Sequence, residues 1–184
     1  MTPNQIRQVW QRARCLYSED EVEAALDRMA GAISAELADR DPILMCIMHG
    51  GVIVTGKLAV RLNFPLQMDY LHATRYRGET RGTDLQWRAP PTLPLEGRTI
   101  LLIDDIFDEG ETLALVRDYC LHQGGREVFA AVLIDKQHDR KVAGMAVDFV
   151  GLTAEDSYLF GYGMDYRGYL RNAPGIYAIH DDDL

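Results

Sequence analysis

The sequence predicts an α/β fold, a central and mostly parallel sheet flanked by helices, and three observations carry that expectation. Apolar runs of strand length recur at Ile43 to Met48, Ile100 to Ile103 and Val128 to Ile134, as expected of strands buried on both faces. Segments with helical spacing lie between them, notably Val52 to Leu62 and Leu113 to Cys120, and strand–helix alternation argues parallel strands joined by right-handed crossovers. The third observation is the stretch Thr99 to Leu113, in which a buried strand ends in Asp104-Asp105 and a turn holding Asp108, Gly110 and Thr112 opens a new apolar period. The rest of the chain is organised around that strand, loop and helix.

At 184 residues the chain is expected to form one domain, with a core large enough to need no staples. Apolar content of 47% and charged content of 26% are those of an ordinary soluble globular protein. A net charge of −9 argues against a nucleic-acid or anionic-membrane surface. The cysteines, Cys15, Cys46 and Cys120, are odd in number and lack metal-ligand spacing. They imply no disulfide framework and fit a reducing, cytoplasmic setting. No apolar stretch approaches bilayer length, so neither export nor membrane spanning is expected.

Taken in order, residues 4 to 15 read as a helix, with Trp10 as a packing or subunit-contact residue. Ser18 followed by Glu21 forms a capping box, and Val22, Leu26, Met29, Ile33 and Leu37 make one apolar stripe. Asp41-Pro42 ends that helical region and leads into the strand at Ile43. His49-Gly50-Gly51 follows the strand and opens a helix, a position suited to an anion, although paired glycines alone are common turn residues. A strand at about Leu66 to Ala73 delivers a polar loop, about 74 to 90, in which Arg75, Arg77 and Arg81 concentrate positive charge. Long irregular connections of this kind are lids, binding loops or disordered segments. The helix after Thr112 stops at Gly124-Gly125. The next strand ends in Asp135-Lys136, and the stretch Val147 to Leu152 precedes an aromatic cluster from Tyr158 to Tyr166. Asp181-Asp182-Asp183 reads as a frayed, solvated tail.

Ligands of open α/β sheets collect beyond the carboxyl ends of the strands, where Asp104 and Asp105 are expected. Free backbone N–H groups at the next helix start, a tight approach at Gly110 and the Thr112 hydroxyl make an anion pocket beside them. Carboxylates next to an anion pocket require a ligand that also carries cations or hydroxyls. A phosphorylated sugar with Mg²⁺ has both.

The segment Ile103 to Leu113 resembles the phosphoribosyl-pyrophosphate (PRPP) signature of type I phosphoribosyltransferases, two acids followed by a D-x-G-x-T loop. The resemblance extends over nearly the whole chain from about residue 15 and implies the type I fold, with a small hood built from terminal segments, mainly 151–184, over a core of about 20–150. It implies that Asp104 and Asp105 hold the ribose hydroxyls and that Asp108, Glu109, Gly110, Glu111 and Thr112 cradle the 5′-phosphate. His49, Gly50 and Gly51 resemble the pyrophosphate loop, with His49 where the family usually has lysine and backbone contacts from the glycines retained. Arg75-Tyr76 stands for the Ser-Tyr pair of a loop that closes over the reacting centre.

In hypoxanthine-guanine phosphoribosyltransferases the lysine matching Lys136 donates to the purine 6-oxo group, which an ammonium can do and which disfavours adenine. The resemblance further implies that Tyr158 stacks on the base, that the Leu159 backbone meets its edge and that Arg171 faces pyrophosphate. Asp104 and Asp105 would hold Mg²⁺, and Asp165 would help hold a second Mg²⁺ through water. The implied activity is purine salvage, 6-oxopurine plus PRPP giving nucleoside monophosphate and pyrophosphate, with Asp108 taking the proton from N7 after some environmental tuning of an ordinarily weak base. Glu109 and Glu111 are expected to point outward. A xanthine-preferring transferase, an RNA-binding regulator on the same fold and a catalytically silent paralogue are the alternatives. Family members commonly form dimers or tetramers.

Overall fold

A computed structural model describes residues 1–75 and 85–183, with the side chains of Arg75 and Leu85 left aside. Its helices are α1 (Pro3–Arg12), α2 (Glu19–Leu37), α3 (Val52–Ala59) and α4 (Glu111–His122). The strands are β1 (Arg14–Ser18), β2 (Ile43–Ile47), β3 (Gln67–Arg75), β4 (Leu85–Ala89), β5 (Thr99–Phe107), β6 (Glu127–Gln137), β7 (Phe149–Glu155), β8 (Leu159–Phe160) and β9 (Gly175–Ala178). The main sheet has the order β4-β3-β2-β5-β6-β7, parallel except for the edge strand β4.

Strand alternation explains why both faces are covered. Leu101, Ile103 and Leu133 point to one side, where Val22, Leu26, Ile33 and Leu37 of α2 and Val54 and Leu58 of α3 bury them. Ile100, Leu102 and Val132 point to the other and meet Leu113, Val116 and Cys120 of α4. The expected stripe of α2 is therefore core. Its expected capping box is also formed, with the Ser18 N–H donating to Glu21 Oε2 at 2.8 Å and the Glu21 N–H donating to Ser18 Oγ at 3.4 Å.

Three local expectations change. The N-terminal helix ends at Arg12, and the residues after it form β1, which pairs antiparallel with β9. Its partner lies at the far end of the chain, beyond the reach of local periodicity. The loop placed at about 74 to 90 is shorter, because β4 closes back antiparallel on β3 with Trp87 opposite Ala73. The acidic tail is anchored: Asp183 accepts from Arg12 Nε at 3.0 Å, and its carbonyl accepts from the Tyr166 hydroxyl at 2.7 Å.

These tail contacts belong to a small second layer. Strands β1, β9 and β8 form an antiparallel sheet, and Ile6, Val9, Phe160, Tyr166, Leu170 and Ile179 make its core. Both chain ends therefore build the cap that sits at the carboxyl edge of the main sheet.

Candidate functional site

Two adjoining cavities, each about 380 Å³, open at that edge and share Asp104, Asp105, Asp108 and Thr112 as common wall. One extends along the turn from Glu109 to Leu113. The other extends to Gly50, Lys136, Tyr158, Leu159, Asp165 and Arg171. The acidic pair thus lies between a helix N-terminus at one end and an aromatic, lysine-bearing pocket at the other.

The turn is built by Gly110. Its φ of +80° is a left-handed conformation, and a Cβ there would stand 2.1 Å from the buried Phe107 ring. Glycine therefore lets the chain leave β5 and enter α4 in a single turn, which brings the N-terminus of α4 to the cavity beside Thr112. Glu109 is exposed and Glu111 half-buried, and both line this cavity rather than lying clear of it as expected.

Strand β5 runs on past the acidic pair, so Asp104 and Asp105 lie within its last residues. The Asp105 N–H donates to Asp104 Oδ1 at 2.9 Å, and the Asp105 side chain is buried. Burial, followed by the adjacent Asp105 charge, pushes the Asp104 carboxyl well above the usual range. Burial also raises Asp105, with Arg171 acting in the opposite sense. Two hard oxygen donors held together at a cost of mutual repulsion fit a divalent cation such as Mg²⁺.

Gly50 meets this pair directly, because a Cβ there would lie 2.4 Å from Asp105 Oδ2. The backbone of the His49-Gly50-Gly51 loop consequently forms part of the wall. The His49 ring stands edge-on against His72, 4.5 Å between centroids, and is not among the cavity-lining groups. The loop thus meets the cavity through its backbone, while the His49 ring packs on His72.

At the far end Lys136 is buried near the end of β6, its Nζ 3.0 Å from Asp108 Oδ2 and 3.5 Å from Asp156 Oδ1. His138 Nε2 lies 2.6 Å from the other Asp108 oxygen. Burial raises the Asp108 carboxyl, but the hydrogen bonds from Lys136 and His138 outweigh it and hold the group below its ordinary range. The shift of Asp108 thus runs opposite to the tuning expected of a general base. Asp108, His138 and Asp156 also cluster closely enough to suggest metal ligands, yet Lys136 and the Arg140 guanidinium, 2.7 and 2.9 Å from Asp156, already supply the cations there.

In the cap, Tyr158 is exposed at the cavity mouth and packs edge-on against Tyr166, 5.8 Å between centroids. Leu159 is buried in β8. Arg171 donates to Asp165 Oδ1 at 2.5 Å and to the Gly163 carbonyl at 2.6 Å. The Asp165 carboxylate also accepts from the Gly168 N–H at 2.6 Å, so Asp165 and Arg171 form one fixed pair. Tyr76 lies outside the described residues, as do Arg77 and Arg81, and of Arg75 only the backbone is described.

A family model for the phosphoribosyl transferase domain matches residues 15–167. The chain belongs to the phosphoribosyl transferase domain family. Among curated members, a hypoxanthine-guanine phosphoribosyltransferase from Streptococcus pneumoniae is 28% identical over 183 residues, covering 99% of this chain and 98% of its own. A hypoxanthine-guanine-xanthine phosphoribosyltransferase from Tritrichomonas foetus is 27% identical over 163 residues, covering 89% of each chain. A solved structure of a hypoxanthine-guanine-xanthine phosphoribosyltransferase superposes with a TM-score of 0.83 at 25% identity, over 91% of this chain and 97% of its own. The fold is that of the type I phosphoribosyltransferases.

Within this phosphoribosyltransferase site the sequence reading passed over His138, Arg140 and Asp156. A signal was available: His138 follows Lys136 by two residues, the spacing that puts extended side chains on one face. It also passed over Glu23, which accepts from the cap residue Tyr162 at 2.5 Å and from Lys57 at 2.6 Å, tying the cap to α2 and α3.

Proposed function

We propose that this protein transfers the 5-phosphoribosyl group from PRPP to a 6-oxopurine, hypoxanthine or guanine, releasing the nucleoside 5′-monophosphate and pyrophosphate. The observation that carries this reading is the position of the Asp104-Asp105 pair between the α4 N-terminus and the pocket bearing Lys136 and Tyr158. A ligand spanning both cavities must be anionic at one end, rich in hydroxyls in the middle and planar with an acceptor at the other.

On this reading the α4 N–H groups and Thr112 hold the 5′-phosphate. Asp104 and Asp105 hold the ribose hydroxyls, while the Gly50 and Gly51 backbone and Arg171 face pyrophosphate. Positive charge develops on the sugar as pyrophosphate leaves, and fixed carboxylates beside it lower the barrier. Asp104 and Asp105, with Asp165 through water, would hold Mg²⁺, which when bound neutralises pyrophosphate charge. Tyr158 stacks on the base, the Leu159 backbone meets its edge, and Lys136 donates to the 6-oxo oxygen.

Asp108 takes the proton from N7 as N9 attacks. When Lys136 turns toward the purine oxygen it gives up part of its hold on Asp108, and the carboxylate becomes a better base as the substrate arrives. Proton transfer of this kind contributes about 10²–10⁴-fold. Arg75 and Tyr76 belong to the segment that closes over the centre and excludes water.

The chain acts as a single-domain cytoplasmic enzyme and assembles as a homodimer or homotetramer. Among the described residues no helix is long and apolar enough to cross a membrane, and Met68 and Tyr70, exposed on one face of β3, offer a second copy an apolar surface. Xanthine use is a second reading, favoured by the Tritrichomonas relative's activity. The test is chromatographic detection of IMP and pyrophosphate from hypoxanthine, PRPP and Mg²⁺, with an EDTA control. Absence of both products, together with salt-dependent RNA binding, would transfer the case to an RNA-binding regulator.

A further inference from the structure

We propose that His138 is a positioning residue for Asp108: it fixes the carboxylate from the side opposite Lys136. The inference rests on the reading of Asp108 as the acceptor of the N7 proton.

The two ring nitrogens are assigned by their partners. Nδ1 lies 3.1 Å from the Arg140 backbone nitrogen, which can only donate, so Nδ1 presents its lone pair. Nε2 lies 2.6 Å from Asp108 Oδ1, an acceptor, so Nε2 carries the hydrogen. Both ring nitrogens are thus engaged, one by a backbone donor and the other by the carboxylate, which fixes the orientation of the ring. The proton leaving N7 goes to Asp108: the N7–H bond breaks and a carboxyl O–H bond forms, while the N9–sugar bond replaces the sugar–pyrophosphate bond.

The ring is also held firmly. Only 3% of the His138 side chain is exposed. The segment that carries it grips the PRPP loop elsewhere, with the Val142 N–H donating to the Glu109 carbonyl at 2.8 Å and Lys141 Nζ lying 4.8 Å over the Phe107 ring. Arg140 anchors the same segment to Asp156 at the end of β7. Lys136 has competing partners in Asp156 and, on the proposed function, the purine oxygen. The His138 donor is committed to Asp108 alone, so it keeps the carboxylate aimed while the lysine moves.

The charged and titratable groups around Asp108 are Lys136, His138, Arg140, Asp156 and Glu109, with Asp104 and Asp105 upstream on β5. Replacing His138 removes a donor from the carboxylate, which makes Asp108 more basic while freeing it to turn. A role limited to tuning basicity would therefore raise turnover, and a positioning role lowers it.

The experiment compares His138→Asn with His138→Gln, each alone and with Asp108→Asn, by kcat, KM for PRPP and the pH–rate profile. Asparagine keeps an acceptor near the Arg140 N–H but is too short to reach Asp108, whereas glutamine can place an amide N–H near the Nε2 position. The expected result is a kcat lowered about 10–100-fold in His138→Asn, the scale of one hydrogen bond to a charged group. KM for PRPP stays within about twofold, glutamine restores turnover, and the acid limb of the Asn variant moves to higher pH. In the Asp108→Asn background the His138 substitution costs nothing further. Equal kcat values for wild type, Asn and Gln variants beside a slow Asp108→Asn overturn the role of His138 and leave the base reading standing. Full turnover by Asp108→Asn overturns both. An undiminished His138 effect in the Asp108→Asn background shows that His138 acts on something else.

Discussion

Gly163→Ala tests whether the cap and the His49-Gly50-Gly51 loop share one wall. Gly163 has φ +115°, and a Cβ on it would lie 2.0 Å from the Gly50 carbonyl oxygen and 3.2 Å from Asp105 Cβ. Real Cβ contacts stay beyond about 3 Å, so one backbone must retreat by about 1 Å. A non-glycine residue at that φ costs about 1–3 kcal/mol, and forced overpacking costs a further ~1–3 kcal/mol. The sum, about 2–6 kcal/mol, approaches the whole stability of a weak domain but leaves an average one folded. At roughly 2–4 °C per kcal/mol for a chain of this size, Tm falls by about 4–24 °C. The retreat falls on Gly50 and on the cap that carries Asp165 and Arg171, so KM for PRPP rises and kcat/KM drops by about 10², the usual penalty for a misplacement of this size. Thermal unfolding and PRPP titration read the two effects. A variant with wild-type Tm and wild-type PRPP affinity refutes the shared wall.

Other expectations follow from the same geometry. Lys136→Met removes a charge-assisted donor and should lower kcat/KM for 6-oxopurines by about 10–100-fold while changing KM for PRPP little, as separate substrate titrations would report. Asp105→Asn should raise Tm of the substrate-free protein near pH 7 while lowering turnover. The folded carboxyl is held above its unfolded value by burial, so its favourable contribution is complete only below the unfolded pKa and is lost as pH rises through the folded one. A pH series of melting curves shows whether the variant flattens that decline. Ser18→Ala should cost about 1 kcal/mol through loss of the capping box, read by denaturant midpoint at unchanged slope.

Much of this was legible because the governing interactions are local. Asp104, Asp105, Gly110 and Thr112 sit within one strand, one turn and one helix start, and the Ser18 box is a four-residue signal. The strand β1 was illegible because its partner β9 lies at the opposite end of the chain, and β4 because an edge strand beside Pro90-Pro91 lacks the apolar run of a buried one. His49 shows a different limit: position in a motif predicts where the backbone goes, while the ring follows the packing offered by His72. The lowered basicity of Asp108 depends on His138 and Lys136, 30 and 28 residues away, and emerged only when β6 was laid beside β5.

The measurement that bears most directly on the account is turnover with PRPP and Mg²⁺, offering hypoxanthine, guanine, xanthine, adenine and uracil in parallel and following each by its absorbance change. The account predicts nucleotide from hypoxanthine and guanine and none from adenine or uracil, with the xanthine rate fixing how broad the pocket is. Adenine turned over as well as hypoxanthine would contradict the role of Lys136, and no turnover of any base would contradict the enzyme itself.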